Sequence, residues 1–320
     1  IDFFNALGAA CPGGLEVFAG LPRRNEAIST GDQLSSARFV RAKNIHLFSG
    51  KTYFCVQYGF IRWLERCQPE VLIVEANPRY LSTPSAIQWM HHRHRPVIGW
   101  GLGAPKTNRA ETTLRRNFLE SLDGVIAYSK TGAQQYIESG LKPERVFIAP
   151  NAVAPRPKKK PSLRPLEFHD GRASLLFVGR LQERKRLDVL LHACALLPDH
   201  LQPRLTIIGD GPDRSRLESL ARSIYPQAQF PGAKHGGQLE PYFNLADLFV
   251  LPGTGGLAVQ QAMAHGLPVI VGEADGTQSE LVKPQNGWLM PDVNVKTLNT
   301  VLLDAISNPS RLRQMGEASF

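Results

Sequence analysis

The chain has 320 residues, of which 42% are hydrophobic and 20% charged, and its formal net charge is +9. This length exceeds what one hydrophobic core usually organises, and the composition is that of a folded protein, so two domains are expected and a disordered chain is excluded. Its four cysteines show no paired spacing, which argues against a disulfide framework or a zinc site.

The positive charge is concentrated in the first half of the sequence. Residues 1–165 carry a net charge of +11, whereas residues 166–320 carry −2. A plain solvated basic surface explains this asymmetry, and so does attraction to an anionic membrane face or an acidic acceptor. Nucleic acid is not expected, because no aromatic residues interleave the basic ones. The unpaired cysteines favour a reducing compartment, and no apolar run reaches the roughly 20 residues that span a bilayer. We therefore expect a cytoplasmic protein, with the basic half as the candidate contact to the inner membrane face.

In the first half, short apolar runs alternate with longer amphipathic stretches. Apolar runs that are followed by turns predict buried parallel strands, and the stretches between them predict helices. The predicted strands cover 15–18, 71–74, 97–100, 124–127 and 146–149, and the predicted helices include 51–67 and 112–122.

A proline-rich basic segment separates the two halves. Residues 155–165 contain four prolines and five basic residues, a composition that continues neither a helix nor a strand. We therefore predict an N-terminal domain over 1–155, a linker over 156–165 and a C-terminal domain over 166–320.

The second half resumes the strand–helix alternation with short loops, which predicts a doubly wound parallel sheet. Two such sheets facing each other would leave a central cleft, with ligands at the carboxyl ends of the strands. The predicted strands cover 174–178, 204–208, 228–230, 248–251 and 268–271, and the predicted helices cover 187–197, 213–221, 239–246, 257–265 and 295–307.

The first loop with the composition of an anion site follows strand 174–178. Gly179 allows the chain to turn, and Arg180 and Lys185 come next, at the carboxyl end of the strand. Arginine binds a diphosphate through paired hydrogen bonds and lysine binds it as a point charge. Taken alone, the two cations could equally be surface residues of an exposed loop.

The second such loop follows strand 248–251. Gly253, Gly255 and Gly256 lie between this strand and an apolar-faced helix. A glycine loop of this kind exposes backbone N–H groups at the positive end of a helix, where anions bind. A tight turn with no ligand explains the same glycines.

A third glycine pair, Gly209 and Gly211, follows strand 204–208, where a turn role is the simpler interpretation. Arg214 occupies the last position of a G-x-G-x-x-G pattern, which weighs against a nicotinamide-binding motif.

Together these segments resemble the retaining group 1 glycosyltransferases of GT-B fold, an α/β architecture of two Rossmann-like parallel-sheet domains facing a central cleft. The second half also carries Ala246-Asp247, Ala262-Met-Ala-His-Gly-Leu-Pro-Val-Ile270 and Asp275-Gly-Thr-Gln-Ser-Glu280 in the order of that family. The first half matches more loosely, at 74–78, 98–103, 127–129 and 148–152.

The resemblance implies a hexosyltransferase-like enzyme that moves a sugar from a nucleoside-diphosphate sugar to a glycan or lipid-linked acceptor, with retention of configuration and without a metal. The UDP- or GDP-linked sugar is then a co-substrate, and no cofactor is expected. Arg180 and Lys185 would hold the donor diphosphate and stabilise the leaving group, and Glu280 matches the acidic position of the family's tail motif. The implied donor-binding positions are Gly179, Gly209, Gly211, Gly253, Thr254, Gly255, Gly256, Leu257 and Gln261.

The sequence departs from the family at several positions. The family often carries Glu-x7-Glu where this chain has Gly253 and Gln261, and a loop histidine where it has Leu102. Gln261 can still bond a ribose hydroxyl as a neutral group, so we expect altered donor recognition. The family's opening strand is not found and its closing helix is short, so we expect the natural protein to be longer.

Two alternatives remain open at this stage. A non-catalytic nucleotide-sugar-binding GT-B protein would explain why Gly253, Gln261 and Leu102 replace polar groups. A GT-B sugar-nucleotide epimerase would need carboxylates as acid and base, for which Glu280 is the obvious candidate.

Overall fold

The computed structural model describes residues 2–23, 31, 33–48, 53–104, 109–151, 160–161, 163–255, 257–273 and 276–320. The chain divides into two compact units, unit 1 (Ile1–Asn151) and unit 2 (Ala152–Phe320). Both are built from helices and largely parallel strands. The predicted α/β architecture with two parallel-sheet domains is therefore confirmed. Within the described ranges, none of the helices combines the length and the apolar composition that crossing a bilayer requires.

Unit 1 contains two sheets. The first has the strand order β1-β2-β3, with β1 parallel and β3 antiparallel to β2, and the second is parallel with the order β4-β5-β6-β7. The elements in chain order are α1 (Asp2–Ala10), β1 (Glu16–Gly20), β2 (Arg38–Leu47), β3 (Phe54–Tyr58), α2 (Phe60–Cys67), β4 (Leu72–Glu75), α3 (Thr83–His91), β5 (Val97–Gly101), α4 (Arg109–Glu120), β6 (Gly124–Ala127), α5 (Lys130–Glu138) and β7 (Val146–Ile148).

Aromatic packing joins the first sheet to α2. The ring of Phe18 on β1 stacks against those of Phe60 and Trp63, with centroids 5.4 and 4.9 Å apart. The indole N–H of Trp63 donates to the carboxylate of Glu16, which also pairs with Arg38 at 3.5 Å. Burial of these large rings is the main favourable term for this part of the fold.

The structure corrects the prediction of one helix over 51–67. Phe54–Tyr58 forms β3, and α2 begins only at Phe60, after Gly59 turns the chain with a φ of 84°. β3 is a strand because β2, which the sequence analysis missed, supplies its backbone partners from Lys43 to Leu47. β2 exposes alternate residues and therefore lacks the continuous apolar run that marks a buried strand.

Unit 2 is a single six-stranded parallel sheet with helices packed against it. Its strand order is β10-β9-β8-β11-β12-β13, so the chain starts in the middle, moves outward one way, and then returns to build the other side. The elements are β8 (Ser174–Val178), α6 (Leu187–Ala195), β9 (Arg204–Ile208), α7 (Arg214–Ile224), β10 (Gln229–Gly232), α8 (Glu240–Leu245), β11 (Leu248–Leu251), α9 (Leu257–Ala264), β12 (Val269–Gly272), α10 (Thr277–Leu281), β13 (Gly287–Met290), α11 (Val295–Ile306) and α12 (Pro309–Ser319).

The central strands of unit 2 are buried on both faces. β11 and β12 have no exposed residue, which is why the sequence shows them as unbroken apolar runs. A buried ion pair lies at the amino end of the sheet: Asp247 accepts from the backbone N–H of Ser174 at 2.8 Å and pairs with Arg313 at 2.8 Å. Asp247 therefore has a structural role, because its side chain fixes the start of β8.

Arg164 anchors the chain at the entrance to unit 2. Of the predicted linker, residues 156–159 and 162 lie outside the described residues, whereas Arg164 belongs to unit 2 by its contacts. Its guanidinium donates to the carbonyls of Phe243, Ala246, His265 and Gly266 at 2.8–3.0 Å. These carbonyls lie at the carboxyl-terminal ends of α8 and α9, where helices leave acceptors unsatisfied.

Replacing Arg164 by alanine should therefore destabilise unit 2. The substitution leaves several half-buried carbonyls without a donor, and we expect the free energy of unfolding to fall by about 3 kcal/mol. Urea unfolding followed by circular dichroism measures this loss. Arg222→Ala, at an exposed position of α7, is the matched control and should stay within about 0.5 kcal/mol of the parent chain. Equal stability of the two variants would contradict the anchoring role.

Candidate functional site

The predicted site residues of unit 2 lie at the carboxyl end of its sheet. The strand order reverses between β8 and β11, and in doubly wound sheets this reversal opens the crevice in which ligands bind. Gly179 and Arg180 follow β8 directly, and Arg180 is half-buried. The glycine loop follows β11, and α9 begins after it, with Leu257 exposed and Gln261 half-buried one turn later.

The side chain of Lys185 lies against the glycine loop that follows β11. The short 3-10 helix Glu183–Lys185 carries it there, and its side chain is 9% exposed. Its ammonium donates a hydrogen bond to the backbone carbonyl of Thr254. The neighbouring Arg184 donates to the Thr254 hydroxyl at 3.0 Å, and its carbonyl accepts from the Thr254 backbone N–H at 3.0 Å. The loops after β8 and β11 are therefore joined through one residue, Thr254.

The contact of Arg184 and Lys185 with the glycine loop requires glycine at positions 253 and 255. A Cβ atom on Gly253 would collide with the carbonyl oxygen of Arg184 and the backbone of Lys185, and one on Gly255 would collide with the Lys185 ammonium. Gly255 also has a φ of 116°, which side-chain-bearing residues rarely adopt. The absence of a carboxylate at position 253 thus has a steric reason, because the Arg184–Lys185 backbone occupies its space. Gly256 lies outside the described residues.

A buried amide ties α10 to the same loop. The side chain of Gln278 is fully buried and donates to the carbonyl of Gly255 at 2.6 Å. α10 begins after Gly276, whose φ is 86°, and carries Glu280 half-exposed in its first turn. Gln278 therefore places the helix that bears Glu280 next to the glycine loop.

Gly209 and Gly211 have a packing role. A Cβ atom on Gly209 would strike the carbonyl oxygen of Gly179, and one on Gly211 would strike that of Leu181. The two loops are hydrogen-bonded through Leu181, whose N–H donates to Asp210 at 2.9 Å. This close approach supports the turn interpretation of the Gly-Asp-Gly segment, and it fixes the backbone from which Arg180 projects.

Unit 1 presents a second polar group at the carboxyl end of its parallel sheet. Glu75, Trp100 and Tyr128 come from the ends of β4, β5 and β6, and the rings of Trp100 and Tyr128 meet edge to face at 5.5 Å. Asn77 donates to the Glu75 carboxylate at 3.0 Å. Burial, the charge of Glu75 and a hydrogen bond to it raise the pKa of Tyr80 well above its ordinary value, so its hydroxyl remains protonated.

Sequence reasoning missed Arg184, Gln278 and Glu75 as site residues. Arg184 lay beside Lys185 in a run of three cations, and Gln278 and Glu75 lay inside segments that already resembled the family. Their contacts with loop atoms or with neighbouring strand ends appear only in the fold. Among the residues that the structure describes, no three histidine, cysteine or carboxylate side chains are grouped as metal ligands would be.

A surface cavity lies elsewhere in unit 2. It has a volume of about 600 Å³ and is lined by residues of β13, α11 and α12, including Trp288, Val301 and Arg311. None of the predicted site residues lines it. The cavity is therefore separate from the anion site that the motifs predict.

Comparison with known proteins gives the context for this geometry. Residues 159–320 match the sequence model described as glycosyl transferases group 1. A GDP-mannose-dependent alpha-mannosyltransferase of Mycobacterium tuberculosis (strain CDC 1551 / Oshkosh) is 33% identical over 204 residues, which are 61% of this chain and 51% of that protein. The putative colanic acid biosynthesis glycosyltransferase WcaL of Escherichia coli (strain K12) is 31% identical over 55% of this chain and 46% of its own length. The chain thus spans about half the length of these curated relatives.

Solved structures share the fold at lower identity. Sucrose-phosphate synthase from Thermosynechococcus elongatus superposes with a TM-score of 0.73 at 18% identity, over 99% of this chain and 86% of that one. Anabaena Alr3699/HepE in complex with UDP gives a TM-score of 0.65 at 15% identity, over 81% of this chain and 75% of that one. At such identities the likeness is one of fold alone.

Gly253→Ala tests the steric contact between the two loops of unit 2. The added methyl group forces the Arg184–Lys185 backbone away, and overpacking of this kind costs about 2 kcal/mol of unfolding free energy. Neither Gly253 nor the control Gly237 has a positive φ, and Gly237 has open space around it. Urea unfolding should show the loss for Gly253→Ala and a change of about 0.5 kcal/mol or less for Gly237→Ala. A neutral Gly253→Ala would refute the close packing.

Proposed function

This chain belongs to the group 1 glycosyltransferase family, and on that premise we propose that it transfers a sugar from a nucleoside-diphosphate sugar to a glycan or lipid-linked acceptor. One observation carries the proposal: Lys185 is held over the glycine loop at the strand-order reversal of unit 2. The Lys185 ammonium, the glycine-rich loop and the N-terminus of α9 lie at the same edge of the sheet there. Together they favour a bound anion of the size of a diphosphate.

The donor diphosphate is assigned to Arg180, Lys185 and the loop from Gly253 to Leu257. Loop glycines leave the backbone accessible, so that amide groups can approach phosphate oxygens closely. Arg180 would bind two oxygens side by side, and Lys185 would act as a point charge. Gln261, one turn into α9, is the candidate for a ribose hydroxyl. Glu280 is proposed to contact the donor sugar, because Gln278 keeps its helix beside the loop.

The chemical demand of the reaction explains why cations belong here. When the bond from the sugar to the diphosphate breaks, negative charge grows on the leaving oxygen, and groups fixed in advance stabilise that charge most effectively. The side chains of Arg180 and Lys185 would supply this stabilisation, so we propose that transfer needs no metal ion. Retention of configuration is proposed from family membership.

The identity of the base and sugar is also a proposal. The mycobacterial relative is named GDP-mannose-dependent, and it matches this chain over 204 residues at 33% identity. The structure in complex with UDP is only 15% identical. We therefore propose GDP-mannose as the first donor to test and UDP-linked sugars as the second.

The acceptor is assigned to unit 1. The exposed residue Glu75 can accept a hydrogen bond from an acceptor hydroxyl, and the half-buried rings of Trp100 and Tyr128 lie at the neighbouring strand ends. Residues 1–151, which form unit 1, carry a net charge of +6, which supports an acceptor at an anionic surface. We propose a cytoplasmic enzyme that works at the inner face of the membrane.

One alternative has a specific observation in its favour. Because backbone fills the space at Gly253, this loop cannot carry the carboxylate that relatives of the family often have there. A protein that binds a nucleotide sugar without transferring it would show the same feature. Binding of GDP or UDP without turnover across a panel of acceptors would identify that alternative, and release of sugar from the donor would exclude it.

Substitution of the two cations tests the donor site. Arg180→Ala and Lys185→Met should each lower turnover by about 10²–10³, the effect of removing one group that stabilises transition-state charge. Both variants should also bind GDP more weakly in calorimetry. Transfer from labelled GDP-mannose and UDP-glucose measures the first effect, and Lys296→Met, at an exposed position of α11, is the control.

Circular dichroism of Arg180→Ala and Lys185→Met is used to check that both variants remain folded. If transfer and GDP affinity survive in folded Arg180→Ala and Lys185→Met, the assignment of the diphosphate to this edge is overturned. If affinity falls and the parent chain shows no transfer, the binding protein without turnover is the better description.

Glu75→Gln separates the acceptor role from the donor role. Loss of a charged hydrogen-bond acceptor should raise the KM for the acceptor by about tenfold or more, while affinity for GDP stays unchanged. Glu65→Gln, on the exposed side of α2, is the control of equal charge and size. An unchanged acceptor KM in the Glu75→Gln variant would remove Glu75 from the acceptor site.

A further inference from the structure

The second half of β2 and the strand β3 form a two-stranded antiparallel ribbon in unit 1. β1 pairs with β2 from Arg38 to Ala42, and β3 pairs with the continuation from Lys43 to Leu47. Directly opposite residues of an antiparallel pair lie on the same face. The register therefore sorts the ribbon residues into an inner and an outer face.

The inner face is packed against the rest of unit 1. Cys55 is 1% exposed, and the side chains of Asn44 and His46 reach the carbonyl of Leu21 at 3.1 and 3.3 Å. These contacts fix which side of the ribbon faces inward, and the alternate residues accordingly face outward.

The outer face, together with the residue that follows β2, is unusually apolar for an exposed surface. The register also puts Phe54 and Val56 on this face, where they are half-buried. We define the outer face by its exposed members, Lys43, Ile45, Leu47 and Tyr58, together with Phe48. Phe48 is 76% exposed, Tyr58 63%, Ile45 41% and Leu47 39%. Single exposed apolar residues are ordinary, but adjacent ones on a soluble surface mark an interaction site.

The polarity of the outer face changes along β2. The apolar residues Ile45, Leu47 and Phe48 occupy the far end of β2, and Lys43 lies opposite Tyr58 just behind them. A further exposed cation of the same face, Arg41, lies two residues before Lys43, toward the body of the unit. An apolar end backed by an aromatic residue and then by cations matches the polarity of a bilayer surface, from acyl chains through the interface to anionic headgroups.

We propose that this outer face docks on an anionic lipid surface. Ile45, Leu47 and Phe48 enter the boundary between headgroups and acyl chains, Tyr58 lies at the headgroup level, and Lys43 faces lipid phosphates. A protein partner would not require apolar and basic residues to separate along one axis, whereas a bilayer does. The proposal rests on the proposed function only for its purpose, which is to bring the chain to a lipid-linked acceptor.

Vesicle flotation of the full chain tests the proposal. Phosphatidylcholine vesicles with and without about 30% phosphatidylglycerol are compared at low salt and at about 0.5 M salt, where surface charge is screened. The chain should float with the anionic vesicles, and less so at high salt. Lys43→Glu should weaken binding about fivefold or more, and Leu47→Ser combined with Phe48→Ser should weaken it about tenfold or more.

Two controls in unit 2 match these changes in chemistry and exposure. Lys296→Glu reverses an exposed charge on α11, and Leu245→Ser removes an aliphatic side chain that is 75% exposed. Both should float as the parent chain does. GDP binding, measured by calorimetry in the same variants, should be unchanged in all of them, so a failure of the lipid proposal is distinguishable from a failure of the donor site.

Three results would overturn the proposal. The first is a parent chain that stays unbound to anionic vesicles at low salt. The second is an equal loss of flotation in the unit 2 controls. The third is a parent chain that is dimeric in analytical ultracentrifugation and becomes monomeric in the Leu47→Ser, Phe48→Ser variant while flotation is unchanged, since the outer face would then cover a second copy of this chain.

Discussion

The contact between the Arg184–Lys185 backbone and the glycine loop is the constraint on which the candidate donor site depends. It can form only because Gly253 has no side chain, and it places the Lys185 ammonium against Gly255 and the Thr254 carbonyl. The next residue, Arg186, adopts a φ of 54°, an unfavourable region for a residue with a side chain. The chain thus accepts local strain at the turn that holds the lysine over the loop and leads into α6.

Other parts of unit 2 can be understood as supports for that contact. Gly209 and Gly211 let the loop after β9 press against the backbone beside Arg180, and Gln278 holds the loop carbonyl of Gly255 from the side of α10. At the opposite end of the sheet, Asp247 and Arg313 fix the start of β8. A charged side chain is positioned precisely only when the backbone that carries it is rigid, and here several independent contacts supply that rigidity.

The sequence was sufficient where structure follows from local pattern. The strands β11 and β12 and most of β8 are continuous apolar runs because both faces of the sheet are covered, and the loops after β8 and β11 contain the glycines that the turns require. It was insufficient where a residue's role depends on a distant partner. β3 is a strand because of β2, and Gln278 matters because it meets Gly255, 23 positions earlier in the chain. The sequence pattern alone does not show that β3 pairs with β2 or that Gln278 contacts Gly255.

Glycine at position 253 also affects the charge of the candidate donor site. A carboxylate at position 253 would place negative charge beside Lys185 and would partly offset its positive charge at short range. With glycine there, the backbone of Arg184 and Lys185 occupies the space that a side chain would need, and a second cation, Arg184, donates to the Thr254 hydroxyl. This edge of the sheet is therefore more positive than it would be with a carboxylate at position 253. On the proposed function, the carboxylate that contacts the donor sugar is Glu280, whose helix is tied to the loop through Gln278, while Gln261 is left for a ribose hydroxyl.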